Sequence, residues 1–307
     1  MELRHLRYFL AVAEEKHFGR AADRLHMAQP PLSNQIKQLE AELGTTLFER
    51  TTRRVEVTEA GLLLMDRARQ LLSDVEAAEF DVAEVGRGAA GVLRVGFSGT
   101  ATYRLMPEVV RRAQTELPNV RLQISGEMLT PQMENALLEN RIDIAVLRPP
   151  VQSGELILDE FEQTPIVAIL PMNHPAICRS PQGHPVSVAE LADTGLVSYP
   201  RSSTVASAVW ELYRQLGFRP RIVQTATETS TLIAMVSAGL GVALIPDPSG
   251  LPLRTSIAVR PLAEQLTIGL AVARRAHGDH GSHAITPLQS AFANLTRAAS
   301  AHLRDNA

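Results

Sequence analysis

The stretch from Phe18 to Glu40, FGRAADRLHMAQPPLSNQIKQLE, constrains the fold more than any other part of the chain, because it writes two short helices and a tight turn at helical spacing. Phe18, Ala22 and Leu25 form one apolar stripe; Leu32, Ile36, Leu39 and Leu43 form a second. Between them, Met27 to Pro31 carries two adjacent prolines, which cannot continue the first helix but suit the first turn of the next. This is the grammar of a helix-turn-helix. With its stripe buried, the second helix turns Ser33, Asn34, Gln35, Lys37 and Gln38 outward. Short polar and amide groups followed by a cation can read base edges and hold phosphates. They can equally form an ordinary solvated face, and these residues alone leave both readings open.

The flanking segments favour the first reading. Leu3, Leu6, Leu10 and Ala13 predict a helix that completes a three-helix core. After Leu43, Gly44 stops the second helix, Leu47 and Phe48 are expected to be buried, and Val55 and Val57 alternate as a short strand would. Arg50, Arg53 and Arg54 crowd the tip of this wing, where arginines can enter a minor groove or grip the backbone. Thr58 is a suitable N-cap for a long helix. Along that helix Leu64, Ala68, Leu71, Val75, Ala78, Val82 and Val85 recur at four-three spacing, a narrow seam that wants a partner helix. Dimerisation through residues 59–85 follows, and it would supply two recognition helices for two half-sites.

At Gly86 the pattern stops. GRGAAG, residues 86–91, matches the dinucleotide fingerprint G-x-G-x-x-G, but it follows a helix and precedes a strand, the reverse of what phosphate binding needs. It reads as a hinge. Beyond it come alternating candidate strands at 92–97, 120–124, 142–147, 166–170, 196–199, 222–224, 242–245 and 268–272. Amphipathic helices are expected at 107–116, 131–138, 205–216, 228–238 and 287–303. The texture predicts an α/β unit with largely parallel sheets. Proline-marked reversals near Leu158 to Pro165 and Pro261 to Leu266 divide it into two lobes, lobe 1 at about 91–162 and 267–307 and lobe 2 at about 163–266. The chain thus parses as a winged helix-turn-helix (1–58), a linker helix and hinge (59–90) and an α/β domain (91–307).

Composition narrows the function. A net charge of −3 over 307 residues excludes a protein that coats nucleic acid by bulk electrostatics. Any DNA binding must therefore rest on focused cations and on base reading. A single cysteine, Cys178, cannot form an intramolecular disulfide and fits a reducing compartment. MELRHLRYF lacks signal-peptide features and no long apolar run appears, so a cytoplasmic protein without membrane contact is expected.

In open α/β sheets ligands sit beyond the carboxyl ends of strands, against helix N-termini. Ser98-Gly99-Thr100 follows the first strand of lobe 1 and Ser202-Ser203-Thr204 follows a strand of lobe 2; Thr130 precedes Pro131 in the same manner. Arg148 and Arg201 stand at strand ends, where a guanidinium can pair with a carboxylate. These groups facing one another across a cleft would bind a small organic anion, though each hydroxyl also serves as a plain N-cap. Catalysis finds little support: GFSGT approaches the nucleophile elbow G-x-S-x-G but has Thr100 in place of the last glycine. His277, His280 and His283 lie in the glycine-containing HGDHGSH, which reads as a polar loop rather than a metal site. Nothing marks Cys178 as reactive. No cofactor is expected.

Taken together, these residues resemble the LysR-type transcriptional regulators. MELRHLRYFLAVAEEKHFGRAADRLHMAQPPLSNQIKQLEAELGTTLFERTTRRVEVTEAG follows that family's N-terminal pattern throughout, and GVLRVGFSG, ENRIDIAVLR, LPMNHP and SAGLGVALIP extend the likeness over the full length. The resemblance implies a winged helix-turn-helix, a coiled-coil linker and an effector domain of two Rossmann-like lobes, similar to type 2 periplasmic binding proteins and assembled as a homotetramer. It implies that Gln29, Pro30, Ser33, Asn34, Gln35 and Lys37 contact double-stranded DNA, with Arg50, Arg53 and Arg54 in the wing. In the cleft it implies Ser98, Gly99, Thr100, Thr130, Pro200, Arg201 and Ser202, with RNA polymerase as a further partner. Many relatives carry arginine where this chain has Asn34; asparagine favours adenine where arginine favours guanine, so half-site preference does not transfer. MELRHLRYF and PPLSNQI most resemble the branch that controls aromatic-acid breakdown and senses muconates or benzoates. The rival reading is a small-molecule binding protein whose helical head serves only for assembly.

Overall fold

The computed structural model describes residues 1–50, 55–86, 91–179, 183–252, 255–276 and 287–305. The chain divides into two compact units, a head within Met1–Ala83 and a larger unit of Glu84–Leu138 with Ile142–Ala307.

In the head, α1 (Leu3–Glu15), α2 (Phe18–Arg24) and α3 (Gln29–Leu43) enclose Leu6, Phe9, Val12, Phe18, Ala21, Leu32, Ile36 and Leu39. The two prolines lie in the first turn of α3, and Gly44 ends it with a left-handed φ of 67° that a side chain would disfavour. The apolar stripes are narrower than the sequence suggested at their ends. Leu3 is 41% exposed and Leu43 40%, because each sits in a terminal helical turn beyond the reach of the neighbouring helices. Phe9 and Val12 take the central places instead, and Phe9 and Phe18 both meet Phe48 of the wing, with centroids 5.3 and 5.9 Å apart.

The wing is the antiparallel pair β1 (Phe48–Arg50) and β2 (Val55–Val57). Thr58 then opens α4 (Glu59–Gly86): its Oγ1 accepts from the Gly61 amide at 3.0 Å and donates to the Thr46 carbonyl, tying the helix start to the wing. The first turns of α4 belong to the head core through Ala60, Leu64, Met65, Ala68 and Leu72. Further along, Leu71 and Val82 are exposed, Val82 at 74%. The seam is therefore half used within the chain and half uncovered.

The second unit contains two lobes that share one long strand. Lobe 1 is built from β3 (Gly91–Ser98), α5 (Ala101–Arg104), α6 (Met106–Glu116), β4 (Val120–Met128), α7 (Thr130–Leu138) and β5 (Ile144–Leu147). Then β6 (Leu156–Pro171) runs into lobe 2, which continues with α8 (Pro175–Arg179), α9 (Val188–Leu191), β7 (Gly195–Ser198), α10 (Thr204–Gln215), β8 (Arg221–Thr225), α11 (Thr229–Ser237), β9 (Ala243–Pro246) and β10 (Ile257–Pro261). The chain returns through β11 (Thr267–Arg275) and closes with α12 (Pro287–Asp305). The inner strands β5 and β11 are buried on both faces: Ile144, Val146, Leu270 and Val272 meet α5, α6 and α12, whereas Ala145, Leu147, Ala271 and Ala273 pack with α7. That is why they read as unbroken apolar runs.

Two expectations are corrected. Leu158 to Pro165 is no chain reversal but the first half of β6, paired with β11; the second half, from Ile166, pairs with β9 and β10. Pro165 stands at this change of partners, where its missing N–H costs no ladder bond, and its carbonyl accepts from Asp247. The sheets are also mixed rather than largely parallel: β3 pairs β4 and β5 in parallel and β7 pairs β8 in parallel, but every partner of β6 and β11 is antiparallel. A strand that crosses between lobes and another that returns beside it must run in opposite directions.

Candidate functional site

Two places gather polar groups on one surface. The first is the outer face of α3. Gln29, Pro30, Asn34 and Lys37 are exposed, and Ser33 and Gln35 are half-buried beside the apolar stripe. Several other head cations are drawn into ion pairs, Arg20 with Glu15 and both Arg24 and Arg69 with Glu14. Among the described residues Lys37 makes no such pair. Arg50 ends β1 in register with Val55, whereas Arg53 and Arg54 lie outside the described residues.

The second place is a cleft between the two lobes. Lobe 1 contributes Ser98, Gly99 and Thr100 after β3, Met128 and Leu129 after β4, Thr130 at the start of α7, and Arg148 after β5. Lobe 2 contributes Tyr199 after β7, Ser203, Thr204 and Val205 at the start of α10, and Pro246. Each lobe thus presents a strand end and a helix start, which follows from the α/β connections. The space between these groups is open on one side and has a volume of about 20 Å³, roughly room for one water.

The chemistry of this cleft is set by Arg148, 4% exposed. Its guanidinium donates to Thr100 Oγ1 at 3.0 Å and to the Gly269 carbonyl at 3.4 Å, both neutral acceptors. No carboxylate among the described residues comes within ion-pair distance, and burial lowers its pKa to about 10, partly offset by Tyr199 and Glu162. It remains a cation at neutral pH, desolvated and without a counter-ion. Beside it, Ser98 is 5% exposed and its Oγ is buried with no hydrogen-bond partner among the described residues. A buried hydroxyl keeps its donor for a water or a bound group. Thr130 is less available, because its hydroxyl donates to the Arg148 carbonyl at 2.8 Å.

Across the cleft, Tyr199 shares a 2.7 Å hydrogen bond with Thr229, and burial pushes its phenol up to about 12. No side chain caps the first turn of α10. Gly99 is needed for the lobes to come this close: a Cβ there would lie 2.8 Å from Thr229 Oγ1. At the rim, Glu127 of lobe 1 accepts from the Ser230 amide at 2.9 Å and from its hydroxyl at 3.0 Å, capping α11 from the opposite lobe.

Ser98, Gly99, Thr100, Thr130 and Arg148 are therefore brought together as the sequence expected. Pro200, Arg201 and Ser202 do not line the cleft: Arg201 and Ser202 are exposed, and the Arg201 guanidinium stacks on Trp210, 4.2 Å from the ring centroid. The next two residues, Ser203 and Thr204, take their place. Tyr199, Met128, Leu129, Val205 and Pro246 were not anticipated; only the β-strand ends before them gave any signal. Cys178 is exposed on the short α8, and His277, His280 and His283 lie outside the described residues. A larger groove of about 650 Å³ on the head, lined by Ala13, Lys16, Val55, Glu56, Val57, Leu62 and Met65, is open to solvent and holds no orphaned polar group.

A winged helix-turn-helix head with a polar outer face on its third helix, in one chain with a two-lobed α/β unit around a cleft that holds a buried cation, defines a ligand-responsive DNA-binding protein. The comparisons with known proteins agree. The model of the bacterial regulatory helix-turn-helix protein, lysR family, matches residues 3–62, and the LysR substrate binding domain matches residues 86–295. The chain belongs to the LysR family of transcriptional regulators. It is 40% identical over 254 residues to the HTH-type transcriptional regulator AlsR of Bacillus subtilis (80% of each chain), and 34% identical over 281 residues to CatR of Pseudomonas putida (91% of this chain, 94% of CatR). Among solved structures, CbnR complexed with its target DNA matches with a TM-score of 0.71 at 25% identity, covering 97% of this chain and 100% of that one. Full-length BenM matches with a TM-score of 0.57 at 29% identity, covering 98% and 97%. Family membership removes the rival in which the head serves only for assembly. Among the described residues no helix is long and apolar enough to cross a membrane.

Proposed function

We propose that this regulator answers to a small organic carboxylate bound between its two lobes, with Arg148 as the counter-cation and Ser98 as a donor to the anion. The observation that carries this reading is the buried Arg148 guanidinium, which has two neutral acceptors and no carboxylate. A charge in that position is costly until it is paired. Thr100 and the uncapped start of α10 add donors aimed at the same space. Because that space is only about 20 Å³, an organic acid of ordinary size enters only when the lobes part. Ligand binding therefore selects a different lobe separation, which reaches the linker helix through the 86–91 segment.

On the DNA side, Gln29, Pro30, Ser33, Asn34, Gln35 and Lys37 are the base and phosphate contacts, and Arg50, Arg53 and Arg54 supply the wing. Two chains pair through the uncovered seam of α4, two such dimers form a tetramer on double-stranded DNA, and RNA polymerase is the downstream partner. Leu71 and Val82, exposed in one chain, support that pairing.

The test is a thermal-shift screen of the full-length protein against small mono- and dicarboxylates, with matched neutral amides as controls. A true effector at a hundred times its Kd stabilises by about 2.7 kcal/mol. Stabilisation by the amides, or by none of the acids, would contradict a carboxylate-sensing cleft.

A further inference from the structure

We propose that His5 is a positioning residue for DNA reading: from the buried side of the head it fixes the side-chain amide of Gln35 with its NH₂ turned toward the major groove, making that position a donor rather than an ambivalent reader. The proposal rests on the reading of Gln35 as a base contact. His5 is 1% exposed; its Nδ1 completes the capping box of α1, and its Nε2 is aimed away from that box at the third helix. Its Nδ1 lies 3.3 Å from the amide of Glu2, the N-cap of α1, and its Nε2 lies 3.0 Å from Gln35 Oε1.

These two contacts fix the proton. A backbone N–H can only donate, so Nδ1 is the acceptor and the ring hydrogen sits on Nε2. An Nε2–H can only donate, so the Gln35 atom that faces it is the carbonyl oxygen, and the amide NH₂ points away from the core. Among the described residues that NH₂ has no partner. A free glutamine reads adenine through both its acceptor and its donor, whereas one held by its oxygen presents donors first, which suits N7 and O6 of guanine or O4 of thymine. The arrangement also links the two ends of the motif: the capping box that starts α1 orients a side chain two turns into α3.

The experiment is selection of randomised duplex DNA by full-length wild type, Gln35→Ala, His5→Phe, His5→Gln and the His5→Phe/Gln35→Ala double variant, with melting temperature and affinity for bulk genomic duplex measured in parallel. Expected is a roughly tenfold loss of preference at the same base position for Gln35→Ala and His5→Phe, no further loss in the double variant, and recovery in His5→Gln, whose amide can donate where Nε2–H stood. In the two single His5 variants, bulk-duplex affinity and its salt slope stay at wild-type values. If Gln35→Ala changes that preference and neither His5 variant does, the positioning role is overturned while the base contact stands. If Gln35→Ala selects the wild-type sequence, the base contact falls and His5 with it. Equal loss on selected and bulk duplex by both His5 variants, with lowered melting, would leave His5 as a core residue only.

Discussion

Among the described residues, Lys37 and Arg148 are both cations without a carboxylate partner, and they sit in opposite surroundings. Lys37 stands on the outer face of α3, fully hydrated, so leaving it unpaired costs nothing and its attraction for a phosphate is screened by salt. Arg148 lies in the floor of the cleft, where desolvation works against its charge and only neutral oxygens answer it. Arg104, in the same lobe, shows the alternative: it is paired with Glu162, whose carboxylate is further held by Thr164 and Ser300. The chain can therefore neutralise an inward arginine and does not do so at Arg148. An exposed cation adds affinity for any polyanion, whereas a buried one waits for a particular ligand.

Arg148→Met should break this comparison with the largest effect. Truncating one side of a buried charged contact costs about 2 kcal/mol or more, at least a thirtyfold loss in carboxylate affinity by calorimetry. The melting temperature of the ligand-free protein should stay level or rise, since replacing an unpaired buried ion with an apolar side chain is often neutral or stabilising. A sharp drop in melting with the ligand response intact would make Arg148 a structural residue instead. Ser98→Ala is the gentler version. Its Oγ has no partner to lose, so stability in urea should hold or improve, while ligand affinity falls about tenfold for one lost hydrogen bond of about 1.4 kcal/mol. Reduced stability with unchanged affinity would remove Ser98 from the site. Lys37→Ala should have the smallest effect: a few-fold loss on every duplex, specific or not, with the log K against log salt slope reduced by about 1. A loss confined to one sequence would mean that Lys37 reads a base and does not merely hold a phosphate.

Family recognition came from the head, where the pattern is local. Helical spacing, two prolines and Gly44 lie within thirty residues and act through the nearest neighbours, so sequence and structure agree there except at Leu3 and Leu43 in the end turns. The cleft is assembled differently. Ser98, Thr130 and Arg148 were legible because strand ends and helix starts have recognisable residues. Arg201 was misleading for the same reason: it has the right chemistry at a strand end, but the turn carries its guanidinium onto Trp210. Tyr199 and Pro246 carry no signal of their own, since they become lining only when β7 and β9 align in lobe 2.

By itself, then, the sequence determined the family, the helix-turn-helix and most of the alternation of strands and helices, because each depends on residues a few positions apart. Only the tertiary structure decided that β6 runs through both lobes, that Arg148 is buried without a counter-charge, that the Ser98 hydroxyl is orphaned, and that His5 reaches Gln35. Burial and pairing are properties of segments far apart in the chain, and desolvation, which gives these groups their chemistry, exists only once those segments have met.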